Sequence, residues 1–137
     1  DNKLWVYCRG AEELNEPAGL YCVNTTTLEV ERSFDFSNYD LGFGTRLAFS
    51  SNGEILYYLK EDVYKFVLNE TALPIEPIIE AGGKTFYSLA VNPVNETVIV
   101  GDAIDYAQKG KVYIYNPNGE LLKEIEAGVI PSQIVFY

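Results

Sequence analysis

The residues best suited to chemistry are carboxylates and aromatic side chains that fall in predicted loops. Asp102 and Asp105 are three positions apart, and Tyr106 follows directly. Carboxylates beside aromatic rings can hold a neutral or cationic, partly planar ligand through hydrogen bonds and stacking. A solvated acidic rim, with the rings packed beneath their own loops, is the alternative interpretation. The candidate ligand-binding residues are Asp102, Asp105, Tyr106, Tyr39, Phe43 and Phe86.

The same two aspartates raise the question of calcium, because Gly101 and Gly110 lie close by. The sequence contains no D-x-D-x-D-G run, so an EF-hand loop is excluded. An irregular calcium loop is an alternative, but an Asx turn or an N-cap is the commoner use of an aspartate such as Asp102. We therefore expect no metal and no cofactor.

Catalytic side chains are scarce in this sequence. It has no His, so Ser/His/Asp and Cys/His nucleophile systems would lack their base. A His/Cys zinc site is disfavoured for the same reason, since only two Cys are present. Glycoside hydrolysis needs two carboxylates at a set separation, and no spacing singles out a pair. We expect a protein that is not an enzyme, with a carbohydrate-active enzyme as the alternative.

The two cysteines, Cys8 and Cys22, are a candidate disulfide. Folding their hairpin around residue 15 places them directly opposite each other. Export would permit such a bond, although adjacent strands rarely offer the required geometry. Two buried thiols that pack as small hydrophobic side chains are the alternative.

Composition narrows the class of protein further. The 137 residues include 10 basic and 20 acidic side chains, and the net charge of −10 argues against binding to nucleic acid or anionic membranes. No apolar run reaches the roughly 18 residues of a membrane span. The chain begins at Asp1 with neither an initiator Met nor a signal peptide, so we expect a processed or excised piece.

An internal repeat of 42 residues indicates which elements position the loops. Residues 47–58 consist of an apolar run, a tight turn and a second apolar run, and residues 89–100 repeat this pattern. Residues 4–7 keep only the second run, and residues 133–137 keep only the first. A third strand and a fourth strand follow each second run, and the fourth strands are predicted at residues 27–34, 75–81 and 121–127.

Four short strands per period are typical of a β-propeller blade. We name the strands a to d from the channel outward, so the chain reads bcd, abcd, abcd, a. The prediction is an all-β, partial β-propeller in one domain, residues 1–137, with three four-stranded antiparallel blades over 1–36, 45–81 and 87–127 and a closing strand over 132–137. A β-sandwich is the alternative fold, but it does not explain the repeat.

Propeller geometry assigns the loops to two faces. The a–b turns, residues 51–53 and 93–95, are tight, whereas the b–c loops, 10–18 and 102–110, and the d–a loop, 35–44, are long. Long loops on a rigid scaffold are where binding usually resides. The face formed by the b–c and d–a loops, called the b–c/d–a face below, is therefore the predicted binding surface.

Three blades are fewer than a closed propeller requires, and an isolated arc would leave two blade faces exposed. We therefore expect the ring to be completed by partners. These are either the remaining blades of a longer parent chain or a second copy. In a head-to-tail dimer of six blades, each final strand would complete the first blade of the other copy.

The C-terminal repeats resemble those of YVTN-type β-propellers, in particular surface lipoproteins of gut bacteria. The resemblance is carried by GDAIDY at 101–106, GKVYIY at 110–115, NGE at 118–120 and GVIP at 128–131. It is detailed over residues 87–137 and extends over the whole chain in pattern. It implies a seven-bladed ring that is exported, lipid-anchored at the cell surface or in the periplasm, and active as a binder or scaffold.

Some similar proteins capture corrinoids for an outer-membrane transporter, which implies a nutrient or corrinoid as one ligand. This chain departs from that family in holding only about three blades and in lacking a lipobox Cys near Asp1. We expect an extracytoplasmic binding or scaffold module that captures a small molecule or a protein on the b–c/d–a face. A purely structural module that closes a ring with other blades is the alternative.

Overall fold

The computed structural model describes residues 2–36, 44 and 46–137, and three antiparallel sheets account for its regular structure. The all-β prediction is confirmed. Contacts divide the chain into two compact units, residues 1–43 and 44–137, which are described separately. Within the described residues, no helix has the length and apolar character needed to cross a membrane. The strands are β1 (Lys3–Cys8), β2 (Gly19–Asn24), β3 (Val30–Asp35), β4 (Leu47–Phe49), β5 (Ile55–Leu59), β6 (Val63–Val67), β7 (Phe86–Val91), β8 (Val98–Asp102), β9 (Lys111–Tyr115) and β10 (Leu121–Glu126).

The first unit is a single sheet in the order β1-β2-β3. Side chains of its two edge strands meet across the central strand. The Trp5 and Phe34 rings stack with centroids 6.4 Å apart, and the Arg32 guanidinium lies 4.9 Å from the Phe34 centroid and 5.5 Å from that of Trp5. Such cation–π contacts add about 0.5–1 kcal/mol each at exposed sites, so they help to hold β1 and β3 together.

The register of this sheet excludes the predicted disulfide. Cys8 pairs with Gly19, and Cys22 pairs with Trp5, so the two cysteines are three positions out of register. That offset corresponds to about 10 Å along a strand and places the thiols on opposite faces. The assumption that the hairpin turns at residue 15 was wrong, because a 3-10 turn at Glu12–Leu14 and a left-handed Asn15 make the loop asymmetric.

Both cysteines are free thiols. Cys22 is buried, and burial raises the pKa of its thiol above the usual value. Cys8 is exposed at the end of β1. The alternative of two buried thiols therefore holds for Cys22 and is wrong for Cys8.

The second unit contains two sheets, β4-β5-β6 and β10-β9-β8-β7. β7 packs against β4 and β5. Side chains two positions apart on a strand point to the same face, and one face of each sheet supplies a shared core. Burial of these side chains is the main favourable term in folding this unit. The core comprises Tyr57, Leu59, Val63, Ile79, Ala81, Phe86, Leu89, Val91, Val98, Val100, Tyr113 and Tyr115.

The fourth strand predicted at residues 75–81 is replaced by a single bridge. Ile79 pairs with Val63 next to the edge of the β4-β5-β6 sheet, and the Ala81 N–H donates to the Asp62 carboxylate at 2.7 Å. Pro77 lies in this segment and has no N–H to donate to a ladder. The repeat keeps the position of the fourth strand but only the backbone hydrogen bonds around the bridge between Val63 and Ile79.

The last sheet has all four predicted strands, and the chain after β10 crosses back over it. The Ser88 hydroxyl donates to the Pro131 carbonyl at 2.6 Å. A Cβ atom on Gly101 would lie 2.7 Å from that same oxygen, so the crossing segment lies directly on β8. Residues 132–137 are not assigned to a strand with any described residue, and the closing strand stays a prediction.

Candidate functional site

Asp102 ends β8 and is almost completely buried, with 3% of its surface exposed. Its Oδ1 accepts the N–H of Thr85 at 3.0 Å and that of Ile104 at 2.8 Å. The second of these bonds forms the Asx turn that was expected at this position. Asp102 therefore joins a d–a loop to a b–c loop and holds both in place.

The surroundings of Asp102 are electrostatically coupled to a core tyrosine. Burial raises the pKa of Tyr113, and the Asp102 charge adds to that rise. The Thr85 hydroxyl donates to the Ile104 carbonyl at 2.5 Å, which gives a second link between the same two loops. These groups serve the loop junction, so Asp102 presents little surface to a ligand.

Phe86 is the first residue of β7, and the structure places it in the core. It is 5% exposed and meets Tyr113 edge-on, with ring centroids 6.4 Å apart. A ring in that position cannot stack on a ligand at the surface without leaving the core. Phe86 and Asp102 are therefore not part of an exposed contact surface.

Asp105 lies on the exposed side of the b–c loop that follows β8. Its Oδ1 accepts the N–H groups of Ala107 at 3.0 Å and Gln108 at 2.9 Å, and its Oδ2 accepts from the Gln108 amide at 3.0 Å. The backbone hydrogen bond from Gln108, followed by that from Ala107, lowers the pKa of the Asp105 carboxyl. The loop thus carries a fixed negative charge at neutral pH.

Tyr106 is 53% exposed, far more than Phe86, the other predicted aromatic residue that the structure describes. Its ring meets Tyr87 edge-on, with centroids 5.9 Å apart. Tyr106 and Ile104 have φ angles of +64° and +57°. Left-handed backbone at a non-glycine residue is disfavoured by roughly 1–2 kcal/mol, so the Asp102 and Asp105 hydrogen bonds stabilise an otherwise unfavourable loop.

The structure brings together only part of the predicted constellation. Asp105 and Tyr106 adjoin on one exposed loop, whereas Tyr39 and Phe43 lie outside the described residues. Tyr87 belongs to this surface and was not predicted. Strand alternation could have found it, because Phe86 and Tyr87 point to opposite faces and only Phe86 was chosen.

A cavity of about 250 Å³ lies at the opposite loops of the same unit. Its lining comes from the a–b turn of each sheet, from β5 and β6, and from the turn after β9. The predicted binding face did not include these residues, because the a–b turns are short. No group of three or more Cys, Asp or Glu side chains that could hold a metal ion occurs in the part of the chain that the structure describes.

The sheets and loops define a protein built from consecutive β-propeller blades. No known family matches the sequence, and no curated protein does. Solved structures do match. The chain is similar to a quinoprotein alcohol dehydrogenase-like protein from Bacteroides thetaiotaomicron, with a TM-score of 0.68 and 18% identity over 88% of this chain and 31% of that one.

Two other solved structures are similar. Regucalcin, a calcium-binding protein from Agrobacterium tumefaciens, has a TM-score of 0.62 and 16% identity over 92% of this chain and 42% of its own. A luciferin-regenerating enzyme has a TM-score of 0.57 and 13% identity over 81% of this chain and 37% of its own. The chain thus spans between 31% and 42% of the length of these structures. At such identities the likeness shows the fold alone.

Proposed function

We propose that the chain is a non-catalytic binding or scaffold module built from propeller blades, and that it captures its ligand or partner on the b–c/d–a face. The observation that carries the proposal is the surface formed by Asp105, Tyr106 and Tyr87. An exposed ring rests on a second ring beside a carboxylate whose three hydrogen bonds fix its position. Rigid loops of this kind are suited to binding because little conformational freedom is lost on contact.

The chemistry of this surface suits a partly planar ligand that is neutral or cationic. The Tyr106 ring offers an open face for stacking, and Asp105 favours a positive charge or a hydrogen-bond donor nearby. The resemblance to YVTN-type lipoproteins supports an exported protein that captures a nutrient such as a corrinoid. The resemblance also supports a binder over an enzyme. The composition agrees with this proposal, because the sequence has no His, the commonest general base in enzymes.

The test is a ligand screen by thermal shift on the full chain, with cyanocobalamin and a panel of planar aromatic cations as probes. A bound ligand raises the apparent stability by mass action. Tyr106→Ala should abolish the shift given by any probe that binds here. Leu28→Ala is the matched control, since Leu28 is also exposed and has a φ angle of +62°. A shift that survives Tyr106→Ala would refute the proposed surface.

A second candidate function is structural, and the sheet edges favour it. β1 is an edge strand of its sheet, and its Leu4 is 51% exposed. Val135, in the segment predicted as a closing strand, is 73% exposed. We propose that other blades, from a longer parent chain or a second copy, complete the ring by pairing with these segments.

A further inference from the structure

The cavity at the a–b turns contains opposite charges that do not neutralise each other. Its walls include Ser51, Ile55, Tyr57, Lys65, Glu96 and Pro117. All six residues belong to the second unit. The cavity therefore depends only on how the β4-β5-β6 sheet packs against the last sheet.

Tyr57 lines this cavity, and the residue as a whole is 1% exposed. Among the described residues, every fully buried polar side-chain atom has a hydrogen-bond partner, whereas the Tyr57 hydroxyl has none among them. The phenol oxygen is therefore not fully enclosed by protein, and it opens onto the cavity that Tyr57 lines. It is accordingly a donor available to whatever occupies the cavity.

Lys65 lies directly opposite Tyr57 in the pairing of β5 and β6. Cross-strand neighbours have Cβ atoms about 4.5–5.5 Å apart, so the ammonium and the phenol can reach the same ligand group. Among the described residues, Lys65 forms no ion pair or hydrogen bond. An unpaired ammonium beside a buried phenol is a donor set suited to a carboxylate.

Glu96 supplies the opposite charge at the other side of the cavity. Its Oε1 accepts the N–H of Ser51 at 3.0 Å, which joins the a–b turns of the two sheets. Its second carboxylate oxygen has no protein donor among the described residues. Glu96 has a φ angle of +59°, so the turn holds its backbone in the left-handed conformation.

We propose that this cavity binds a small zwitterion of the α-amino acid class, with its carboxylate on Lys65 and Tyr57 and its ammonium on Glu96. A ligand of single charge would meet one attractive and one repulsive group here, whereas a dipolar ligand satisfies both. Ile55 and Pro117 provide apolar contact for a short side chain. The volume of about 250 Å³ is below the usual range of ligand pockets, which limits the occupant to this size.

The experiment is calorimetric titration of the full chain with L-valine, L-valinamide and N-acetyl-L-valine. Valinamide keeps the ammonium and loses the carboxylate, and the acetyl compound does the reverse. We expect L-valine to bind at least about tenfold more tightly than either analogue, because each analogue loses one charge-assisted hydrogen-bonding group. Equal binding of one analogue, or no saturation by L-valine at about 10 mM, overturns the proposal.

Three conservative variants assign the binding to this cavity. Lys65→Met, Glu96→Gln and Tyr57→Phe should each weaken binding of L-valine, the first two by about tenfold. Gln at position 96 keeps an oxygen for the Ser51 N–H, so that change removes charge and little else. Lys123→Met and Glu80→Gln are the matched surface controls and should bind as the unaltered chain does.

The L-valine titration tests the cavity separately from the loop surface formed by Asp105, Tyr106 and Tyr87. Tyr106→Ala lies at the b–c/d–a face and should leave the L-valine titration unchanged. If Lys65→Met and Glu96→Gln both bound L-valine as tightly as the unaltered chain does, the ligand would lie elsewhere and the proposed site would be overturned. Loss of binding in Tyr106→Ala would do the same.

Discussion

Asp102 shows how a residue chosen for chemistry can serve structure instead. A carboxylate that is 3% exposed and accepts two backbone N–H groups on Oδ1 has almost no surface left for a ligand. The sequence indicates the residue type and the turn but does not show that the side chain is buried. The same holds for Phe86, which is 5% exposed and packs in the core.

Replacement of Asp102 tests its structural role. Asp102→Ala leaves two buried N–H groups without an acceptor, and we expect the free energy of unfolding to fall by about 2–4 kcal/mol. Asp102→Asn keeps Oδ1 as an acceptor, so its free energy of unfolding should fall by markedly less than that of Asp102→Ala. Urea unfolding followed by circular dichroism measures both. Asp105→Ala is the control, since water can replace the bonds of an exposed carboxylate, and a loss as large as that of Asp102→Ala would contradict this assignment.

The raised pKa of Tyr115 predicts how the free energy of unfolding changes at alkaline pH. Burial raises the pKa of its phenol from 10.0 to about 12. The folded state therefore favours the neutral phenol. Its contribution to the free energy of unfolding is fully present below pH 10 and is lost as the pH rises towards about 12. Tyr115→Phe should flatten the decline of the urea midpoint over this interval. Tyr106→Phe is the exposed control, and an equal effect in both variants would contradict a special role of Tyr115.

At the scale of elements, the strands were predictable and their register was not. The apolar runs and the 42-residue repeat depend on local sequence, and β4, β5, β7 and β8 lie where they indicate. The β1–β2 register depends on how one loop folds, and a left-handed Asn15 displaced it by three residues. Pro77 was visible in the sequence, and its missing N–H argues against a regular strand at 75–81.

The crossing segment after β10 gives a prediction for the last sheet. A Cβ atom at Gly110 would lie 2.4 Å from the Asp102 carbonyl oxygen and 2.6 Å from Pro131 Cδ. Gly110→Ala must therefore displace the backbone, and we expect a loss of about 1–3 kcal/mol in urea unfolding. Gly128 lies in the crossing segment itself, and a Cβ atom there would meet no atom within 4 Å, so Gly128→Ala is the control. That control should be nearly neutral, and a similar loss in both variants would show that the close approach is not responsible.

At the scale of the whole molecule, loop length proved an incomplete guide to where a site lies. The b–c/d–a face was chosen because its loops are long. The cavity at the a–b turns arises where two sheets pack, and its Lys65 and Glu96 come from different blades. A short sequence motif cannot encode such a site, because its residues are brought together only by the tertiary structure.

Assembly is the prediction that concerns the entire chain. If residues 132–137 complete a blade against β1 of another copy, the apolar side chains of this segment become buried. Size exclusion with light scattering should then give twice 15.4 kDa, about 31 kDa. Val135→Lys should dissociate the dimer, since it would bury an unpaired charge in the new sheet. Val94→Lys changes another highly exposed valine and should leave the mass unchanged. A stable monomer of the unaltered chain would contradict the head-to-tail dimer and would show that the exposed blade faces tolerate water.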